Sequence, residues 1–167
     1  LGGMLRLARH VGPELAKYYV FTGTPISADD AQKLGILTRL VAPAELAAAI
    51  NELTSEGKPD KYRQREIPEQ FHPLVQMGTA ENAARLLNGQ LPEGVPEEFA
   101  AKTAKFIGYK APLALKIANE IIDEQIGKSI SQGVEIELGR LNEIFSTADA
   151  LEGLSSFGRK KPEYKGA

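Results

Sequence analysis

The sequence predicts a mainly α-helical chain, and three observations carry that reading. Apolar residues recur at helical spacing through the C-terminal third: Leu113, Ile117, Ile121 and Ile122 share one face behind Pro112, and Val134, Leu138, Leu141 and Phe145 follow at steps of four, three and four. Prolines and glycines stand where helices open and close, as at Pro13 and Gly23. Only one short run, Ile36-Leu37-Thr38-Arg39-Leu40-Val41, closed by Pro43, has the character of a strand. One strand cannot form a sheet, so its partners are expected outside the elements read here.

Taken in order, Gly2 and Gly3 precede a short apolar and basic stretch that stops at Gly12. Pro13 opens a helix that runs to Thr22, with Gly23 just past its end. Ser27 followed by Asp30 reads as a capped helix start, with Asp29 and Asp30 suited to the positive helix end, and Gly35 closes it. After the strand, Ala44 to Leu53 is an Ala-rich helix. Residues 54–73 are polar, with Gly57, Pro59, Pro68 and Pro73 breaking any period, and read as an irregular connection that is long for a compact domain. Thr79 and Gly89 bracket a small helix carrying Ala83, Ala84, Leu86 and Leu87, and a Pro/Gly-rich turn covers Leu91 to Pro96. From Glu97 the chain is helical: one helix to Lys110, a second opened by Pro112, an interruption at Gly127 or Gly133, the Val134 stripe, and a last helix capped by Ser146 and Asp149 that runs through Phe157 to Gly158.

Composition narrows the function classes. The 20 basic and 22 acidic side chains leave a net charge of −2, with no basic excess to draw nucleic acid over a whole surface. There is no cysteine, and two isolated histidines cannot supply a zinc cage, so no metal site is expected. No apolar run reaches the ~20 residues that span a bilayer, so no membrane contact is expected, and a cytoplasmic setting fits best.

Few residues invite chemistry. His10 and His72 have neither an acidic orienter nor a nucleophile near them in sequence. Glu14, Asp29, Asp30, Glu97 and Glu98 fall in first helical turns, where the dipole already accounts for them. The Gly2-Gly3 pair could cradle a phosphate at a helix start, or serve close packing at a tight turn. Arg159-Lys160-Lys161-Pro162-Glu163-Tyr164-Lys165 sets four cations in seven residues after a helix, either complementing its dipole or contacting phosphates. The Leu141/Phe145 stripe serves helix packing or ligand contact.

Three segments resemble the second half of a crotonase (enoyl-CoA hydratase/isomerase) domain. They are Gly2-Gly3-Met4-Leu5-Arg6-Leu7-Ala8-Arg9-His10-Val11-Gly12; Thr22-Gly23-Thr24-Pro25-Ile26-Ser27-Ala28 through Gly35-Ile36-Leu37; and Asp149-Ala150-Leu151-Glu152-Gly153-Leu154-Ser155-Ser156-Phe157 with the basic tail. One departure is Gly158-Arg159, where the family has a hydrophobic-acidic pair. The resemblance implies the C-terminal helical part of a ClpP/crotonase-like fold with one short remaining strand. Residues 1–53 would be the end of the crotonase core, 54–110 an insertion, and 111–167 a C-terminal helical region for oligomerisation and coenzyme A contact. In the family the oxyanion-hole amides and acid/base carboxylates precede the Gly-Gly run, so the chain is expected to be an excised C-terminal piece, inactive alone and without catalytic residues of its own.

The same resemblance implies an acyl-CoA thioester as substrate and a trimer-type homo-oligomer. Lys160 matches by position the Lys that touches coenzyme A bound to a neighbouring subunit, and Leu141 or Phe145 matches the apolar contact. The segments 54–110, 109–118 and 145–153 look most like fused prokaryotic enzymes in which an NAD-dependent 3-hydroxyacyl-CoA dehydrogenase precedes the hydratase. NAD is implied only if the parent carries that dehydrogenase, and no cofactor is expected on these residues. Two alternatives stay open: a 3-hydroxyisobutyryl-CoA hydrolase-like thioesterase, and a non-catalytic helical oligomerisation module.

Overall fold

Ten residues, Pro13–Thr22, form the helix round which the others pack. In α2, as this helix is labelled after α1 (Gly3–Val11), Leu15, Ala16, Lys17, Tyr18, Tyr19, Phe21 and Thr22 are all buried, the pattern of a helix that is internal rather than half-exposed. The computed structural model describes residues 1–56 and 66–167, and among these residues there is no strand. The remaining helices are α3 (Ala28–Lys33), α4 (Leu46–Glu56), α5 (His72–Met77), α6 (Ala80–Leu87), α7 (Glu97–Ile107), α8 (Pro112–Glu124), α9 (Ile130–Gly139), α10 (Leu141–Phe145) and α11 (Ala148–Ser156).

Local chemistry sets the ends of α2 as expected. Pro13 stands in its first turn, and Gly23 ends it at φ +66° with its N–H on the Tyr19 carbonyl at 2.9 Å. Ser27 caps α3 by accepting from the Asp30 N–H at 3.0 Å, and Thr79 caps α6 through the Asn82 N–H at 3.4 Å.

Two apolar clusters lie on either side of α2. One joins Val11, Leu15, Tyr19 and Leu34 to Phe71, Met77 and Ala100; the other joins Phe21 to Ala83, Leu86, Ile107 and Leu115. Full burial of a side chain such as Phe21 or Leu15 stabilises by ~1.5–3 kcal/mol. The buried charge of α2, Lys17, reaches Asp123 of α8 at 2.6 Å, at the edge of a groove of about 450 Å³ between α6 and α8. A buried ammonium needs such a partner, and the pair fixes α2 against α8.

Three expectations are corrected, and one left open between two glycines is decided. Ile36–Val41 is not a strand: it leaves α3 in a bend, with the Ile36 and Leu37 amides both on the Ala31 carbonyl at 2.8 and 3.0 Å, and there is no strand among the described residues. Ile36 packs on the core, Leu37 and Leu40 are exposed, and Arg39 ties the segment to α4 through two bonds to Glu52 at 2.8 and 2.7 Å. Among its described residues, the connection expected over residues 54–73 holds the end of α4, a 3-10 turn at Glu69–Phe71 and the start of α5; Gly57 and Pro59 lie outside the described residues. Pro73 sits in the first turn of α5, where a missing N–H costs nothing, and buried Phe71 anchors the approach.

Third, Gly127 (φ +74°) makes the break before α9, whereas Gly133 lies buried inside that helix against Leu5. The Val134 stripe is itself divided at Arg140, whose guanidinium binds Glu120 and Glu143, each at 2.5 Å. Fourth, Thr147, not Ser146, caps α11, accepting from the Ala150 N–H at 3.0 Å. Asp149 is thereby released for another role, and α11 ends at Ser156.

The contact between α2 and α5 is the tightest of the glycine sites. A Cβ at Gly78 would meet the Glu14 carbonyl oxygen at 1.8 Å. Gly78→Ala is therefore expected to cost ~3 kcal/mol, the upper end of overpacking effects, because backbone rather than a flexible side chain must move. Urea denaturation checks this, and an unchanged midpoint contradicts the close approach.

Candidate functional site

The C-terminal basic tail is held by two carboxylates three residues apart on α11. Asp149, 2% exposed, accepts from the Lys165 and Gly166 N–H groups at 2.6 and 2.8 Å, while its own N–H donates to the Ala167 carbonyl at 3.0 Å. Glu152 Oε1 accepts from the Ser156 hydroxyl at 2.9 Å and the Glu163 N–H at 3.2 Å, and receives the Lys160 ammonium at 3.0 Å. At Gly153 a Cβ would sit 3.1 Å from the Tyr164 hydroxyl, so the bare backbone admits that ring. The Asp-x-x-Glu-Gly motif thus works as a clamp for the tail's backbone. With Lys160 as the largest cause, then Ser156 and the Glu163 amide, these donors hold the Glu152 carboxyl down at about 2 from its ordinary 4.5.

The cations of the tail divide into two kinds. Lys160 is engaged by Glu152, and the Lys161 ammonium lies 3.9 Å from the centre of the Tyr109 ring, a cation–π contact that ties the tail to the segment after α7. Arg159 and Lys165 are exposed. Lys160 keeps 61% of its side chain exposed despite its partner, and an ammonium has three donors, so a phosphate oxygen can share it with Glu152.

Leu141 and Phe145 bracket α10, one helical turn apart and so on one face. Leu141 is half-buried and Phe145 is 62% exposed. They share the outer surface of α9 to α11 with Leu138, Leu151, Leu154 and Phe157, all exposed, the last at 88%. α10 packs against α8, α9 and α11. The stripe therefore fills this chain's own core only in part, and its outward side is an apolar patch of the kind that meets a partner.

At the other end of the chain, the Gly2-Gly3 start already holds an anion, and it is a side chain. Gly2 adopts φ +78°, and its N–H donates to the Glu137 carboxylate of α9, which is 4% exposed. Sequence reasoning missed Glu137, because its target lies 135 residues away, and with it Gln125, whose side-chain amide donates to Glu137 from 12 residues away. The available signal was a Glu one turn after Gly133, on the face where only small or apolar residues are otherwise expected. His10 is exposed in the last turn of α1, and His72 Nε2 lies 3.2 Å from the Ile67 carbonyl. Among the described residues, no group of three or more His, Cys, Asp or Glu is placed to hold a metal ion, and no helix is long and apolar enough to cross a membrane.

The described residues are mainly helical, which is consistent with the helical C-terminal part of a crotonase-like fold. The sequence profile of the enoyl-CoA hydratase/isomerase family matches residues 1–165, and the chain belongs to that family. It is 28% identical over 166 residues to "Probable enoyl-CoA hydratase 2, mitochondrial" of Arabidopsis thaliana, a match covering 99% of this chain and 38% of that protein. Against "Short-chain-enoyl-CoA hydratase" of Clostridioides difficile it is 28% identical over 156 residues, 93% of this chain and 68% of the relative. Against "3-hydroxyisobutyryl-CoA hydrolase, mitochondrial" of Xenopus laevis it is 24% identical over 170 residues, 92% and 44% of the two. The chain thus spans less than half the length of the Arabidopsis and Xenopus relatives. No solved structure matches it.

The clamp makes a prediction about pH. Because the folded-state value of Glu152 lies below its ordinary 4.5, tail docking is fully stabilised above pH 4.5 and loses that contribution progressively as pH falls to about 2. Carboxyl-carbon NMR titration is expected to place the Glu152 midpoint near 2, with the Glu163 amide losing protection over the same range. A midpoint at the ordinary value contradicts the clamp.

Proposed function

We propose that the chain is part of an enzyme that hydrates 2-enoyl-CoA thioesters to 3-hydroxyacyl-CoA. The family match from Leu1 to Lys165 carries this reading. In that reaction water adds across the 2,3 double bond, its hydroxyl going to C3 and a proton to C2. The thioester carbonyl must be polarised by N–H donors as enolate charge develops, and carboxylates must move the protons. We place those groups in polypeptide preceding Gly2-Gly3, outside these 167 residues. Two buried carboxylates here, Glu137 and Asp149, are both occupied by backbone N–H groups, which supports that assignment.

On this reading residues 1–53 complete the catalytic core, 54–110 are an insertion, and 111–167 meet coenzyme A and neighbouring subunits. Lys160 contacts coenzyme A phosphates, Leu141 and Phe145 supply apolar contact, and the outer face of α9 to α11 is the self-association surface, of trimer type. An upstream NAD-dependent 3-hydroxyacyl-CoA dehydrogenase is the finer form of the proposal. It is supported by the likeness of residues 109–118 and 145–153 to such fusions, and sequencing the gene across Leu1 tests it. The compartment follows from the same step: the Arabidopsis relative is named as mitochondrial, and a cysteine-free chain fits the cytoplasm equally.

The Xenopus relative supports a second reading, thioester hydrolysis, in which water attacks the carbonyl and coenzyme A leaves as its thiol. One assay separates the two. With crotonyl-CoA, the complete protein is expected to consume the enoyl chromophore without releasing thiol, and residues 1–167 alone are expected to show no turnover. Thiol release from 3-hydroxyisobutyryl-CoA without enoyl consumption overturns the hydratase reading, and turnover that co-purifies with residues 1–167 overturns the assignment of the chemistry to upstream groups.

Lys160 is tested in the same protein. Lys160→Met keeps the apolar stem without setting a second carboxylate beside Glu152. It is expected to raise KM for the thioester about fivefold, equivalent to an exposed charge contact of ~1 kcal/mol, with kcat unchanged. The effect should shrink at high salt. An unchanged KM at low salt rejects the coenzyme A role.

A further inference from the structure

We propose that Glu137 is a positioning residue: its buried carboxylate fixes the turn at Gly2 and the first turn of α1, so that the C-terminal lobe sets where the chain enters that helix. One carboxylate oxygen accepts from the Gly2 N–H. The other accepts from the Leu5 N–H at 3.4 Å and from the Gln125 side-chain amide at 3.0 Å. Gln125, 4% exposed, is itself held by the Gly133 carbonyl at 2.8 Å. The first N–H groups of a helix have no partner within it, and negative charge is favoured there. A buried carboxylate is in turn costly unless it is hydrogen-bonded. Each side of the contact therefore satisfies what the other lacks.

Sequence places the carboxylate where it is needed. Gly133 lets α9 approach Leu5 so closely that a Cβ would sit 2.6 Å from the Leu5 side chain. Glu137, four residues later, shares that face of α9 and meets the start of α1. Gly2, at φ +78°, turns its N–H toward the carboxylate in a conformation that L side chains rarely adopt. Both oxygens face donors that belong to the backbone or to a fixed amide, so Glu137 holds geometry and is not a proton carrier.

The kinetic consequence rests on the hydratase reading, in which α1 opens the segment that completes the catalytic core, whereas the clamp itself does not. Glu137→Gln keeps the shape but puts an NH₂ group where an oxygen accepted. In the 167-residue chain, amide hydrogen exchange at Leu5 is expected to quicken at least tenfold, on the order of a lost charged hydrogen bond, while Leu15 inside α2 keeps its rate. In the complete protein, assayed well below its melting temperature, kcat is expected to fall about 10- to 100-fold with KM nearly constant, the loss that a displacement of about 1 Å brings. Gly78→Ala, which weakens the fold at the α2–α5 contact without touching Glu137 or Gly2, is expected to leave kcat unchanged.

Unchanged Leu5 exchange overturns the clamp. Faster exchange with unchanged kcat, or an equal loss of kcat in Gly78→Ala, overturns the positioning role and leaves the hydratase reading standing. A wild-type protein that hydrates no enoyl thioester overturns the hydratase reading instead, and the Leu5 exchange result then decides the clamp alone.

Discussion

The burial of α2 is the constraint on which the other elements depend. A ten-residue helix with seven buried positions must be covered on several sides, and α1, α5, α7 and α8 all pack on it. The helices that cover it come from distant parts of the chain. Residues 1–53 contribute Val11 and Leu34, residues 54–110 contribute Phe71, Met77 and Ala100, and Leu115 comes from residues 111–167. The two clusters on α2 thus draw on all three segments, and the close approach of Gly78 to Glu14 and the pairing of Lys17 with Asp123 fix α2 against α5 and α8.

Carboxylates in this lobe hold backbone in place. Glu137 receives the start of α1, Asp149 the amides of Lys165 and Gly166, and Glu152 the Glu163 amide together with Lys160. Each satisfies backbone donors that no helical bond takes up, and a charge-assisted hydrogen bond is the stronger kind for that purpose. The outcome for function is that the two regions given functional roles, the Gly2 turn and the basic tail, are ordered by side chains of α9 and α11. Leu138, Leu151, Leu154 and Phe157 stay exposed, and we propose association through them.

What could be read from the sequence follows the range of the interaction. Pro13, Gly23, Ser27, Thr79 and Pro112 act within one turn of their own position, and the helices they bound are present. The tail motif was legible as a family pattern, yet its mechanism was not, because Asp149 finds its partners 16 and 17 residues away. Ser146 and Thr147 were indistinguishable as caps on composition alone, and the choice of Thr147 freed Asp149. The run Ile36–Val41 has strand composition but no neighbour to pair with among the described residues, and composition without a partner does not make a ladder. The stripe from Val134 to Phe145 was read correctly as helical, but the break at Arg140 depends on Glu120, which lies in another helix.

The central proposal is a division of labour, in which these residues form a helical lobe that binds and assembles and the bond-making groups lie in polypeptide preceding Gly2. The most direct measurement is a crystal structure of the complete protein with an acyl-CoA thioester bound. The account predicts the thioester carbonyl against backbone N–H groups and carboxylates that precede Gly2, with the coenzyme A phosphates reached by Lys160 and its apolar portion near Leu141 or Phe145. A thioester carbonyl held by residues 1–167, with the phosphates remote from α10 and the basic tail, would contradict it.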